Sequence, residues 1–315
     1  MHYWTAILLF TISFSTKVSS QACSASSAPV VIAGLSEFEL EDSTRSSWRL
    51  GINISYDWNR MKRLIQESES LSENYRERNN HITSLQFNAT FRQRWNASII
   101  LPYVARTELN NTPNQEEFRQ STSGLGDGMI LFGYTNPWSQ RLSQSFNIGV
   151  KLPVGDHQLI NSSLQVPFAA DLQPGTGSVD YLAMTPLSYR MRDNWAFTGR
   201  IIYSLNTEGR RFENWSPYEF GDSWQTNIVA RYSFSTRPVW LAGEMLYMHM
   251  NKDQINGGVV PNSGGNWYLV GFGAGGSVGN RLDIRSFVYV PVYERLEGVQ
   301  LSTTYRVRLT LGYNF

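Results

Sequence analysis

The sixteen residues from Gln300 to Phe315 constrain this chain more than any other stretch. From Leu301 onward the odd positions Leu301, Thr303, Tyr305, Val307, Leu309, Leu311, Tyr313 and Phe315 are apolar, aromatic or weakly polar, while Gln300, Ser302, Thr304, Arg306, Arg308, Thr310 and Asn314 are polar or charged. A period of two held to the last residue gives a strand one face for hydrocarbon and one for water. At this length the strand crosses an outer-membrane hydrocarbon band at a tilt. Tyr313 and the terminal Phe315 resemble the C-terminal strand signature of bacterial outer-membrane barrels, which the barrel-assembly machinery recognises. The competing reading is a strand of a soluble sandwich, and the rest of the chain decides between them.

Twelve segments carry the same alternation, near 48–58, 81–91, 96–106, 126–134, 143–152, 178–190, 195–205, 223–234, 239–249, 265–276, 281–291 and 300–315. The connections alternate in length. They are short at Arg92–Trp95, Asn136–Gln140, Met191–Asn194, Ser235–Pro238 and Gly279–Asn280, and long at 59–80, 107–124, 153–177, 206–222, 250–264 and 292–299. A soluble sandwich has no reason to sort its connections by parity, whereas short turns on one side and long loops on the other are expected of an outer-membrane barrel. The sequence therefore predicts an all-β, antiparallel up-and-down transmembrane β-barrel of about 12 strands, with both termini on the short-turn side. Trp95, Trp138, Trp195 and Trp240 sit at or beside short turns, where an aromatic girdle is expected. The mean hydropathy of −0.32 fits a barrel whose lumen and loops are polar.

At the other end, Trp4 to Phe14 reads as the apolar core of an export signal, with Val18 and Ser20 placed for cleavage before Gln21. Cleavage after Ala22 instead leaves Cys23 first and open to lipidation. One cysteine excludes an intramolecular disulfide. The expected organisation is a signal peptide at 1–20, a periplasmic or plug segment at 21–47, and the barrel at 48–315. The charge balance of 27 basic and 26 acidic residues gives no footprint for nucleic acid.

The face opposite the outward apolar set carries Arg49, Lys151, Arg190, Arg200, Arg231, Arg281, Arg285, Arg306 and Arg308 against Asp57, Asp180, Glu244 and Asp283. This is a basic lumen. A symmetric 292–299 loop puts Arg285 opposite Arg306 and Asp283 opposite Arg308, and folding at Ser235–Pro238 brings Arg231 beside Glu244. Paired, these charges brace a narrow barrel; any surplus favours anionic or polar solutes in a pore. Arg49, Lys151, Arg200, Arg231, Glu244, Asp283, Arg285, Arg306 and Arg308 are thus the candidate lumen residues, and Tyr313 and Phe315 the membrane-insertion signal.

Chemical motifs are weak. Gly271-Phe-Gly273-Ala-Gly275-Gly276 spells GxGxxG, but no helix pattern follows it, so its glycines are read as letting a strand bend or pack near a large neighbour. The GxSxG match at Gly275–Gly279 has no later histidine, the last being His249. His81, His157 and His249 do not stand in a recognisable His-x-Ser context, so the expected function is not enzymatic, with no cofactor or metal. A structural or adhesive barrel with a closed lumen stays open as an alternative, and so does a membrane-embedded hydrolase.

Four short motifs stand in order along the chain: Leu101-Pro102-Tyr103-Val104, Gly124-Leu125-Gly126-Asp127-Gly128, Gly149-Val150-Lys151-Leu152-Pro153-Val154-Gly155-Asp156 and Gln173-Pro174-Gly175-Thr176-Gly177-Ser178. Together they resemble the outer-membrane transporter family named after the MetA-pathway of phenol degradation. The resemblance spans most of the chain from about residue 48. It implies a barrel passing small, often aromatic, compounds across the outer membrane. The expected partners are outer-membrane lipid, the barrel-assembly machinery through the C-terminal strand, and a small-molecule solute.

Overall fold

The computed structural model describes residues 48–71, 75–111, 117–191, 194–209 and 217–315. The expected signal and the 21–47 segment lie outside the described residues. Twelve strands account for the wall: β1 (Trp48–Glu67), β2 (Arg76–Phe91), β3 (Trp95–Asn110), β4 (Phe118–Leu125), β5 (Gly128–Pro137), β6 (Leu142–Leu152), β7 (Asp180–Arg190), β8 (Trp195–Leu205), β9 (Ser223–Ser233), β10 (Val239–Met250), β11 (Gly265–Val278) and β12 (Leu282–Asn314). Each pairs antiparallel with its sequence neighbours, except that β4 and β5 both pair with β3 and not with each other, and β12 returns to pair with β1, which closes the barrel. Closure is the solution for a sheet in lipid, because an open edge would leave unpaired N–H and C=O groups in hydrocarbon.

The closed path holds eleven of these strands, with β4 off it against the upper half of β3. β5 takes the lower half of β3, so β4 and β5 share one crossing broken at Gly126 and Asp127. β12 crosses twice. Its 33 residues would reach about 110 Å if extended. Instead, residues 282–296 pair with β11, residues 296–314 pair with β1, and the Asn314 amide donates to the Arg281 carbonyl at 2.9 Å. Gly298, at φ 75°, makes the fold-back, a left-handed conformation that favours glycine. The wall therefore has twelve crossings.

Alternation sorts the side chains. Ile148, Met245 and Phe272 are 67%, 63% and 69% exposed on the outside, while their sequence neighbours Asn147, Glu244 and Gly271 are buried. Two belts of rings in tilted or edge-on contact bound the outer apolar band. Near the short turns these include Trp48–Phe91, Trp95–Tyr134, Trp195–Tyr232 and Tyr313–Phe315, and toward the long loops Trp58–Tyr305, Trp224–Tyr247 and Tyr247–Tyr268. From Trp48 to Trp58 along a tilted strand the span is about 25 Å, the height of an outer-membrane apolar band.

Three expectations need correction. The 59–80 and 292–299 stretches, read as loops, are largely strand, as is much of 107–124. Above the lipid both faces of a strand can be polar: Arg60, Lys62 and Glu77 associate on the outside of β1 and β2 while Asn59, Arg78 and Asn80 are buried inside. Trp240 does not join the girdle, since it faces inward and packs on Phe287, with centroids 6.0 Å apart. Nor is the inward face only polar. Leu246, Met248, Leu269, Phe287 and Tyr289 form one interior apolar cluster, and Ile100, Met129, Leu131, Leu182, Met184 and Ile202 another. The glycines of the GxGxxG match serve the first cluster: a Cβ on Gly271 or Gly273 would stand 2.5 Å from the ring of Tyr289 or Phe287.

Candidate functional site in the lumen

The middle of the lumen is built where the first strand meets the last. Asp57 on β1 lies in register with Arg308 on β12. Its carboxylate accepts from Arg306 Nε at 2.8 and 2.9 Å, and from Arg308 Nε and Nη2 at 3.0 Å each. Both guanidinium groups also lie over the Tyr289 ring, 6.0 and 5.5 Å from its centroid. The Tyr289 hydroxyl donates to Glu244 at 2.7 Å; Asn227 donates to the same carboxylate, and Arg200 stands 4.0 Å from it. One network thus runs across β8, β9, β10, β12 and β1, with Arg200 3% exposed and Asp57 5% exposed.

Several of the expected lumen residues lie together, but with other partners than expected. Asp283 accepts from Ser277 Oγ at 2.6 Å and contacts Asn314, so it is not opposite Arg308. Arg285 is likewise not across from Arg306, whose partner is Asp57. The turn at Gly298 lies further along than the centre of a symmetric 292–299 loop, and every partner on the returning arm slides with it. Arg231 pairs in register with Ala242 and lies over the Trp240 ring at 5.9 Å, while Glu244 sits opposite Val229. Arg49 shares Asp57's face lower on β1, opposite Thr90. Arg281 leaves the lumen set: it sits in the turn before β12, and its Nη1 donates to the Tyr313 hydroxyl at 3.3 Å.

Toward the long loops the lumen is covered by residues 153–179, a feature the sequence did not suggest. Asp171, Leu172 and Gln173 are buried. Arg78 on β2 binds Asp171 at 2.7 Å and also Glu108, Arg106 on β3 donates to the Gln173 carbonyl, and Thr122 on β4 donates to the Leu172 carbonyl at 2.5 Å. Asp127 accepts from the Thr176 amide at 2.7 Å, from its hydroxyl at 2.6 Å, and from the Gly155 amide at 3.2 Å. Lys151 completes the knot, bound to Asp180, to Thr176 Oγ1 at 2.7 Å, and lying 3.7 Å from Asp127. Beneath the loop is a cavity of about 50 Å³ bounded by Ile82, Val104, Met129, Leu182 and Phe220, room for a few waters. The four motifs quoted above converge here: Gly126 donates to the Pro102 carbonyl, Asp156 to Leu125, and Gly175 to Asp156.

Charge is therefore divided along the axis. In the upper half Arg78, Arg106 and Lys151 are matched by Glu108, Asp127, Asp171 and Asp180. Among the described residues, the middle holds Arg200, Arg306 and Arg308 with Asp57 and Glu244, and the lower end holds Arg231 and Arg285 with Asp283. Glu108 and Arg78 were missed because they stand on strand extensions read as loop, and Asp171 because it stands on the inward-folded loop.

The histidines stand apart from this network. His81 takes Tyr56 Oη at 2.7 Å in the upper girdle, His249 pairs with Asn266 at 2.9 Å, and His157 meets the Gly155 carbonyl at 3.0 Å.

A sequence model of the family described as "Putative MetA-pathway of phenol degradation" matches residues 81–307. Among curated proteins none matches the sequence. Of solved structures, the COG4313 outer membrane channel from Pseudomonas putida F1 superposes with a TM-score of 0.68 at 12% identity, covering 88% of this chain and 100% of that one. The translocator domain of the autotransporter NalP from Neisseria meningitidis gives 0.47 at 12% identity, covering 91% and 93%. The P. putida toluene transporter TodX gives 0.46 at 9%, covering 86% and 90%.

Proposed function

This chain belongs to the family described as "Putative MetA-pathway of phenol degradation", and from that premise we propose that it is a pore through which small polar, anionic or aromatic solutes diffuse. It is a barrel of the bacterial outer membrane, with its short turns on the periplasmic side. The observation that carries the reading is the arginine cluster at mid-lumen, Arg200, Arg306 and Arg308 around Glu244 and Asp57, inside a wall that closes without a free edge. Charged side chains lining a narrow passage set its ion selectivity. Arg200, Arg306 and Arg308, set around Glu244 and Asp57, are the groups we assign to selection at mid-barrel, with Arg49, Arg231, Asp283 and Arg285 below them and Lys151 above. Tyr313 and Phe315, exposed on the outer face, are assigned to recognition by the assembly machinery. No hydrolase is proposed, because the three histidines of the barrel take Tyr, Asn and backbone partners.

The test is single-channel conductance of the refolded mature protein in a planar bilayer, with reversal potentials under a salt gradient. Discrete steps with anion preference are expected, and Arg306→Glu with Arg308→Glu should reverse or abolish that preference. Silence from folded protein would sink the pore and favour the closed structural barrel. A conducting channel whose selectivity survives the double reversal would remove these arginines from the filter.

A further inference from the structure

The short turns of the barrel hold no Asp or Glu among their described residues. Arginine recurs there instead. Arg92 and Arg94 stand in the β2–β3 turn, Arg141 in the β5–β6 turn and Arg281 in the β11–β12 turn, and all four are exposed. Three of them are tied to rings of the girdle near the short turns. The Arg92 guanidinium lies 5.1 Å from the centroid of the Phe91 ring, Arg94 Nη1 donates to the Tyr134 hydroxyl at 3.4 Å, and Arg281 Nη1 donates to the Tyr313 hydroxyl at 3.3 Å. Arg92 keeps its place at φ 48°, a left-handed conformation that glycine adopts more easily. The returning arm of β12 and then β1, β2, β3, β5 and β6 follow one another in the wall, about 5 Å apart, so the four arginines form one arc. At the opposite end exposed cations meet carboxylates: Arg60 and Lys62 share Glu77 at 3.0 and 3.7 Å, and Lys252 meets Glu297 at 3.2 Å.

We propose that this arc is a docking surface for anionic phospholipid headgroups of the inner leaflet of the outer membrane. The girdle rings hold the guanidinium groups at headgroup depth, where interfacial aromatic residues lie. A guanidinium offers phosphate a planar fork of donors, and a bond to one tyrosine hydroxyl uses one of its five N–H groups. Each basic side chain near a membrane surface raises the local share of anionic lipid about fivefold. Lipid is the occupant that the position selects, since Trp95 and Phe315 beside these arginines are exposed on the outer face. This contact lies outside the lumen and goes beyond solute passage.

The test is tryptophan quenching of the refolded mature protein in vesicles of phosphatidylcholine and phosphatidylglycerol, with bromine on the acyl chains of one lipid or the other. Trp48, Trp95 and Trp138 stand beside the arc and report the lipid there. Brominated phosphatidylglycerol should quench as though enriched about fivefold or more at the wall, and the enrichment should shrink as salt rises. Arg92→Gln, Arg94→Gln and Arg281→Gln together should bring the two lipids to near equality, in protein whose electrophoretic heat-modifiability shows a folded barrel. Lys252→Gln with Glu297→Gln, a balanced change at the opposite end, should leave the enrichment intact. Equal quenching by the two lipids in the unaltered protein, enrichment that survives in the folded triple variant, or equal loss in the balanced variant overturns the arc. The readout needs no conductance, so a folded barrel that stays silent in a planar bilayer loses the pore and can still show the arc.

Discussion

Replacing Asp57 by Asn should be among the most damaging single changes in the barrel. The carboxylate accepts four contacts of 2.8 to 3.0 Å from two buried arginines. Asparagine keeps one acceptor oxygen, turns an amide N–H₂ toward a guanidinium, and leaves two cations to share no counter-charge on β1. Removing one partner of a buried ion pair costs about 3–5 kcal/mol, because the other charge is stranded. With a denaturant slope of about 2 kcal/mol/M, the urea midpoint falls by about 2 M. The assay is urea unfolding of the refolded mature protein in detergent, followed by tryptophan fluorescence and by loss of heat-modifiability. A second variant isolates the cause: Asp57→Asn combined with Arg308→Gln removes one stranded charge and should be more stable than Asp57→Asn alone. A midpoint shift under about 0.5 M for Asp57→Asn, or a double variant less stable than the single one, would refute the reasoning.

Other consequences are equally direct. Gly271→Ala and Gly273→Ala drive a methyl group into the rings of Tyr289 and Phe287 and should each cost about 1–3 kcal/mol, whereas Gly199→Ala and Gly243→Ala, with nothing within 4 Å, should leave the urea midpoint much less changed. Asp253, in the loop between β10 and β11, is wholly buried, and burial pushes its carboxyl up to about 6 against the opposing hydrogen bonds from Tyr218 and the Gly221 amide. Its folded state holds the proton more tightly than the unfolded one, so the loop cluster of Tyr218, Phe220 and Val260 is most stable below about pH 4 and loses stability as pH rises to about 6. Amide exchange at Gly221 should accelerate across that window, and Asp253→Asn should flatten the dependence. Asp127→Ala frees Thr176, Gly155 and one contact of Lys151, so the inward loop should loosen and unit conductance rise.

The barrel was legible wherever one side of a strand meets lipid and the other does not. There the period of two is written in the residues, as from Ile52 to Trp58 or Leu309 to Phe315, and the parity of the connections gave the direction of each crossing. Above the lipid that contrast disappears. Arg60, Lys62 and Glu77 face water while Asn59, Arg78 and Asn80 face a polar interior, so a strand there reads as a charged loop. Partners were harder still, because the faces depend on parity and the pairs on register. Placing the last turn at the centre of 292–299 kept Arg306 and Arg308 inside while giving them Arg285 and Asp283 in place of Asp57. The 153–179 loop was legible only as a set of Pro and Gly motifs, since what folds it inward is a meeting of Asp127, Gly155, Gly175 and Thr176 from segments far apart in sequence.

The position of the Asp57 clamp also sets the order in which this barrel can be assembled. Its two ion pairs join residues 249 and 251 positions apart, and bringing such distant ends together costs about 5 kcal/mol in loop entropy. Contacts of this separation form late. Until they do, Arg306 and Arg308 on the arriving strand and Asp57 on the waiting one lack their opposite charges. A half-zipped wall is penalised at the very edge that must still be joined. Closure is then a latch: the last strand arrives carrying the charge that the first has been missing, and the ring passes from open to shut without a stable stage between.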